Sequence, residues 1–287
     1  MLQRMRRILV QSSPAEKILF GIGYLILFTW ALVSLFPMYW MITTAFKPEV
    51  IVMTLPPEWI PSEVTLAPFR QLFHDHPMGQ WFLNTSIMTV GVTVTQLFVS
   101  AMGGYGFAKK RFPGREFIFW MYISSMMIPV FAILIPLYQL MADWNLIDTY
   151  LGLMVSGLSA PFGVFLMRQF ITTLPSELLD AAKIDGCSEF MVFWRIVLPL
   201  SAPGLAVLGI FVFMGQWGAF FWPMIITNKT SMRTLVVGLA ALGQTEYRTN
   251  YAILMAGSTV IAMPMLITFL AFQRYFLQGI TLGALKG

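Results

Sequence analysis

The feature that most restricts this chain is where its charges are missing. Six stretches contain no Asp, Glu, Lys or Arg: residues 18–46, 76–108, 117–142, 149–167, 196–228 and 249–273, with lengths of 29, 33, 26, 19, 33 and 25. A helix crossing the hydrocarbon core of a bilayer needs about 20 predominantly apolar residues. Each stretch has room for one crossing, and none comfortably holds two. The expected fold is therefore all-α, a polytopic membrane protein with six transmembrane helices. Composition agrees, with 57% hydrophobic and 11% charged residues and a mean hydropathy of +0.74. A soluble domain carries about 25% charged residues. Disorder, a collagen repeat and a disulfide scaffold are excluded, and a soluble enzyme is disfavoured.

Orientation follows from the basic residues. Lys47, Arg70, Lys229, Arg233 and Arg248 fall on one side of the six spans, and the other thirteen of the 18 fall on the opposite side. The bias of Lys and Arg toward the cytoplasm places both termini there. The net charge of +5 thus reads as topology, and no nucleic-acid partner is needed. Residues 1–17 resemble the basic region of a signal peptide, but the apolar run behind them is long and lacks a clear cleavage site. They are read as a cytoplasmic N-terminal segment preceding a six-span domain over 18–287. The lone Cys187 has no partner within the chain for a disulfide.

The spans are expected at about 18–42, 83–105, 117–140, 151–170, 203–226 and 252–276. Pro37, Tyr39 and Trp40 mark the end of the first at the interface. The proline-rich segment 47–80 reads as an external loop with one short helix near 66–74. Pro129 and Pro136 predict kinks in the third span. Gly204, Gly209, Gly215 and Gly218 would let neighbouring backbones approach the fifth. Residues 227–250 read as an external loop.

The segment 171–200 differs in kind. Pro175-Ser176-Glu177 is a helix start, Gly186 a left-handed stop, and Ser188-Glu189 a second start before Phe190, Phe193 and Trp194. Pro199 is expected to close the segment. On physical grounds this hairpin, at about 175–199, is either a docking element for another protein or an amphipathic pair lying on the membrane.

Asp180-Ala181-Ala182, three residues, Gly186, nine residues and Ile196-x-Leu198-Pro199 resemble the EAA signature of ABC importer permeases, with Asp180 where Glu is usual. Pro175-x-Glu177, Ala181-Ala182-x-Ile184-Asp185-Gly186, Met232-Arg233-Thr234-Leu235 and the ending from Gln273 to Gly287 are similar to the carbohydrate-importer subgroup, the maltose-transporter-like second permease subunit. The span-five triplet Trp217-Gly218-Ala219 departs from the Trp-Asn-acidic pattern common there. The resemblance implies the type I importer permease fold in a bacterial cytoplasmic (inner) membrane. It also implies a homologous second permease, two ATPase subunits seated on the hairpin, and a periplasmic or extracellular solute-binding protein. Asp180, Ala181, Ala182, Gly186, Ile196, Leu198 and Pro199 would then couple to the ATPase. Met232, Arg233 and Thr234 would lie in the loop that meets the binding protein.

Two observations bear on this independently. The chain has no phosphate-binding G-x-x-x-x-G-K-[ST] loop, and its spans lack the ionisable residues of proton relays. A transporter without either must take its energy from a partner, which the resemblance implies is the ATPase pair with its ATP and Mg; the chain itself is expected to be no enzyme and to hold no cofactor or metal. Carbohydrate binding at membrane depth calls for aromatic faces and neutral hydrogen-bonding groups. Gln216, Trp217, Phe220 and Asn84 are the candidates, although aromatics at these places also suit helix packing. His74-Asp75-His76 is read as solvated loop. Import of glycerol phosphate or another non-sugar solute is the alternative. From a different class, a membrane enzyme acting on lipid-linked substrates would need clustered carboxylates or histidines. The only acidic cluster, Glu177, Asp180, Asp185 and Glu189, belongs to the hairpin.

Overall fold

Helix α1 (Pro14–Ala45) starts where the sequence supplies a capping box. The Glu16 amide donates to Ser13 Oγ, and the Ser13 amide donates back to the Glu16 carboxylate at 2.7 Å, with Pro14 in the first turn. The helix runs through Pro37 instead of ending near it, and its first buried residues are Thr44 and Ala45. An apolar helix uncovered on every side is stable only against lipid or another protein. The computed structural model describes residues 13–158, 161–245 and 250–284, and no strand occurs among them. Arg248 and, among the thirteen basic residues of the opposite side, Arg4, Arg6, Arg7 and Lys286 lie outside the described residues, as does most of the expected N-terminal segment.

The described chain divides into two compact units. The first comprises the chain up to Leu72 together with Asn250–Thr259. Just after α1, Lys47 is buried; its ammonium donates to the Glu58 carbonyl and lies 4.5 Å from the centroid of the Trp40 ring. Tyr39 donates to the Trp59 carbonyl at 2.7 Å, and Asn250 donates to Glu49 at 2.8 Å. These bonds fold the proline-rich segment back on the end of α1. It holds α2 (Glu49–Val52) and leads into α3 (Ala67–Asp75), close to the one short helix expected.

The second unit is built around α4 (Met78–Lys109), with α5 (Arg115–Ser124), α6 (Val130–Asp143), α7 (Tyr150–Val155), α8 (Pro161–Thr172), α9 (Ser176–Ile184), α10 (Glu189–Leu200), α11 (Ala202–Trp217), α12 (Phe221–Ile226) and α13 (Leu235–Thr245). Helix α14 (Tyr251–Ala284) starts in the first unit and ends in the second. Small residues let α4 and α8 meet backbone to backbone. A Cβ on Gly104 would lie 2.6 Å from Met167 Cβ and 2.9 Å from the Arg168 amide nitrogen. Backbone cannot yield as a flexible side chain does, so Gly104→Ala should destabilise the protein by about 1–3 kcal/mol. Thermal unfolding in detergent checks this; an unchanged midpoint would mean that the helices separate freely.

Proline shapes the third span as expected, and unequally. Ile128 is extended before Pro129, as a residue preceding proline prefers, and the helices either side meet at 96°. Pro136 is accommodated inside α6. The fourth span is divided between α7 and α8. Among the described residues, helices α1, α4 and α14 are each long and apolar enough to cross a membrane, and counting each of two bent pairs as one span gives up to five.

Three expectations are corrected. The fifth span does not run unbroken over 203–226: α11 stops at Gly218 and α12 starts at Phe221. Pro199 does not close the hairpin, because α10 continues to Leu200 and the chain turns at Ser201, with a 74° bend into α11. The loop 227–250 contains an apolar helix, α13, whose Leu235, Val237 and Leu239 are buried. Its Gly238 is so close to the Trp81 ring that a Cβ would lie 2.3 Å from it. That packing depends on a residue more than 150 positions away, which no local pattern reveals.

Candidate functional site

The hairpin forms as its local sequence dictates. Helix α9 ends in a Schellman turn: Gly186 has φ +81°, its amide donates to Lys183 O at 3.0 Å, and the Cys187 amide donates to Ala182 O at 2.9 Å. Glycine fits the left-handed region without penalty. Ser188 then caps α10, its Oγ accepting from the Met191 amide. Pro199 leaves a mark after all. Lacking an N–H and crowding the carbonyl four residues earlier, it is preceded by one wide turn, Phe193–Val197, in which Leu198 N bonds to Phe193 O.

One side of the hairpin is core. Leu179, Ala182, Val192, Phe193 and Val197 pack with Ala101 and Tyr105 of α4, Met167 and Ile171 of α8 and Leu208 of α11. The other side is bare: Ile184 is 87% exposed and Phe190 68%, beside exposed Leu178 and Trp194. The signature residues divide accordingly. Asp180, Ala181, Gly186 and Pro199 are exposed, Ala182 is buried, and Ile196 and Leu198 are half-buried.

Charges also fasten the hairpin. Lys109 Nζ donates to Leu174 O at 2.6 Å, Thr172 O at 3.4 Å and Ser176 Oγ at 3.3 Å. Lys110 pairs with Glu189, which also accepts from Tyr105 OH at 3.0 Å and lies 3.6 Å from Lys183. The Lys110 ammonium holds the Glu189 carboxyl below its usual range. Nearby, Arg168 donates to both oxygens of Glu116 at 2.7 and 2.9 Å and lies over the Phe119 ring. In the sequence Lys109 and Lys110 are two of the thirteen basic residues on one side of the spans; their pairing with residues 63 to 79 positions away has no local signal.

A second polar centre lies at the opposite end of α4. Asn84 is 0% exposed. Its Nδ2 donates to Ser231 O at 2.8 Å and Arg233 O at 2.9 Å, while Oδ1 accepts from Gln80 at 2.9 Å and Tyr150 OH at 2.8 Å. Trp81 donates to Thr230 O, and Thr85 Oγ1 accepts from the Leu235 amide. From the facing turn, Asp148 Oδ1 accepts the amides of Asn228 and Lys229. Thr234 is accordingly buried and Met232 and Arg233 half-buried, leaving Asn228 to Ser231 exposed.

The remaining candidates flank the break in the fifth span. Trp217 is buried, stacked on Phe213 and edge-on to Phe82, and its indole donates to Ile261 O at 2.9 Å. Gln216 and Phe220 are half-buried. Gln96 donates to Gly157 O, and a Cβ on Gly157 would lie 2.9 Å from Gln216 Nε2, so two carboxamides converge there. Thr89 and Thr93 add buried hydroxyls without a hydrogen-bond partner. With Thr85, Gln96 and Ser100 they form a polar stripe on α4. Its spacing of three and four residues is readable in the sequence. Next to α4 in sequence, His74 is exposed and pairs with its neighbour Asp75 at 2.8 Å. No group of three or more His, Cys, Asp or Glu among the described residues is placed to hold a metal.

Comparison with known proteins now bears on this arrangement. Residues 96–282 match the family described as binding-protein-dependent transport system inner membrane component. The arabinooligosaccharides transport system permease protein of Halalkalibacterium halodurans is 38% identical over 96% of this chain and 99% of its own. The sn-glycerol-3-phosphate transport system permease protein of Yersinia pestis is 33% identical over 90% and 94%. In fold, the chain is similar to one from the crystal structure of a bacterial ABC transporter involved in the import of the acidic polysaccharide alginate. The TM-score is 0.82 at 22% identity, covering 92% of this chain and 99% of that one.

Proposed function

We propose that this chain, which belongs to the family of binding-protein-dependent transport system inner membrane components, is the permease subunit of an ATP-driven carbohydrate importer. It is a multi-pass membrane protein, and its relatives are transport permeases and not enzymes. In this reading it sits in a bacterial cytoplasmic membrane with six crossings and both termini inside. It pairs with a homologous permease, takes substrate from a solute-binding protein outside, and receives two ATPase subunits inside.

The observation that carries the reading is the two-faced hairpin. Its inner face is locked into the bundle, while Ile184 and Phe190, 87% and 68% exposed, present apolar surface flanked by Asp180 and Asp185. Lipid would leave those carboxylates poorly solvated, whereas an ATPase cleft with basic groups accommodates both. ATP-driven closure of the ATPase dimer then moves the hairpin, and with it the spans. On the substrate path, Gln216 and Phe220 suit a neutral polyol, one by hydrogen bonding and one by its ring face. Asn84 has no free capacity, and the Trp217 indole is committed to the backbone; both position the scaffold. Asn228 to Ser231 form the exposed part of a firmly tied loop that faces the binding protein.

The H. halodurans relative supports an oligosaccharide; the Yersinia relative supports glycerol phosphate as the second reading. Uptake into proteoliposomes containing the permease pair, the ATPase and the binding protein separates them. ATP-dependent uptake of a neutral oligosaccharide, undiminished by a tenfold excess of glycerol phosphate, is expected. Competition by glycerol phosphate with no oligosaccharide uptake would favour the second reading, and uptake without ATP would overturn both.

A further inference from the structure

We propose that Lys109 and Lys110 are positioning residues that fasten both limbs of the hairpin to the last turn of α4, making the second span the element that follows the hairpin. The inference rests on the transport reading above and adds the route by which motion leaves the hairpin. The two lysines are adjacent in sequence but grip different limbs. Lys109 reaches the end of α8 and the start of α9, through Thr172 O, Leu174 O and Ser176 Oγ. Lys110 reaches the first residue of α10, Glu189. Glu189 closes the figure, since it also meets Lys183 across the Gly186 turn at 3.6 Å and Tyr105 of α4 at 3.0 Å.

The physical need for such a tether lies in the rest of the contact. Between the hairpin and α4 the packing is apolar, Tyr105 and Phe98 against Phe193. Apolar packing is non-directional and lets one surface slide over another. Charge-assisted hydrogen bonds are directional and fix one register. Stability is not their main product: the Lys110 and Glu189 side chains are 29% and 58% exposed, and pairs so open to water contribute little to folding. Removing them should therefore leave the bundle assembled but let the hairpin move without drawing α4 along. Lys109 adds the preference of a cation for the free carbonyls at a helix C-terminus.

The test uses the assembled transporter in proteoliposomes and reads sugar molecules imported per ATP hydrolysed, with the amount of ATPase co-purified as a control. Glu189→Gln and Lys110→Met are each expected to lower that ratio about fivefold while co-purification stays within a factor of two. Lys110→Arg, which keeps the charge, should retain at least half of the ratio. Lys109→Met should lower the ratio as well. An unchanged ratio in the single variants would overturn the proposal. So would a loss of co-purified ATPase large enough to account for the lost transport, because the residues would then serve docking. Failure of the transport reading itself is distinguishable: the unaltered protein would show no ATP-dependent uptake.

Discussion

Gly186→Val is expected to reduce sugar uptake more than tenfold in reconstituted transporter, with sugar binding by the separate solute-binding protein unaffected. Space is not the reason, since a Cβ at Gly186 would meet no atom within 4 Å. The backbone is: φ is +81°, and the left-handed region costs an L residue roughly 1–2 kcal/mol, with β-branched side chains faring worst. Valine would relieve that strain by leaving the Schellman turn, which moves the Ser188 cap and changes the angle between α9 and α10. Gly186→Asn supplies the control. Asparagine visits the left-handed region far more readily, so its loss should stay below threefold. Equal losses in the two variants would mean that the turn geometry is not what matters, and normal uptake by the valine variant would remove Gly186 from the coupling route.

The second large effect is expected at the other end of α4. Asn84→Asp keeps the size of the side chain but replaces the donor that serves Ser231 O and Arg233 O, at 2.8 and 2.9 Å, with an acceptor. Two part-buried carbonyls then lose their partner, at up to about 1–3 kcal/mol each, and a carboxylate without a counter-charge is left buried unless it takes up a proton. A loss of about 3 kcal/mol or more is expected, seen as a lower unfolding midpoint in detergent and faster proteolysis between Asn228 and Ser231. Asn84→Ser, which can still donate once, should lose less. If Asn84→Asp were as stable as the unaltered protein, the segment from Asn228 to Thr234 would not depend on this residue, and a direct role toward substrate would regain its place.

Much of the hairpin was legible because its determinants are local. Pro175, Gly186 and Ser188 each act on their immediate neighbours through a fixed φ, a left-handed residue and a side-chain cap, and the structure puts all three to those uses. Pro199 was misplaced for a related reason. A proline can be absorbed by one wide turn, and whether it ends a helix depends on what the following residues pack against. The break of the fifth span at Gly218 has no local mark: φ there is −87°, open to any residue, and the Trp217 indole just before it is held by a distant partner, Ile261 O. The apolar helix Leu235–Thr245 escaped notice because it is too short to read as a span, and it is ordered by Trp81 and Thr85 from far along the chain.

That this chain lives in a bilayer and is helical is written in its charge-free runs. Such runs are stable in lipid only when each segment satisfies its own backbone. The turn of the hairpin and the family follow from spacings within one short segment. Which polar residues are spent and which are free depends on the tertiary fold. Asn84, Trp217 and the two lysines are ordinary letters until residues from 44 to 149 positions away supply their partners. Burial decides the rest, because in a dry interior a donor keeps its position only where an acceptor meets it.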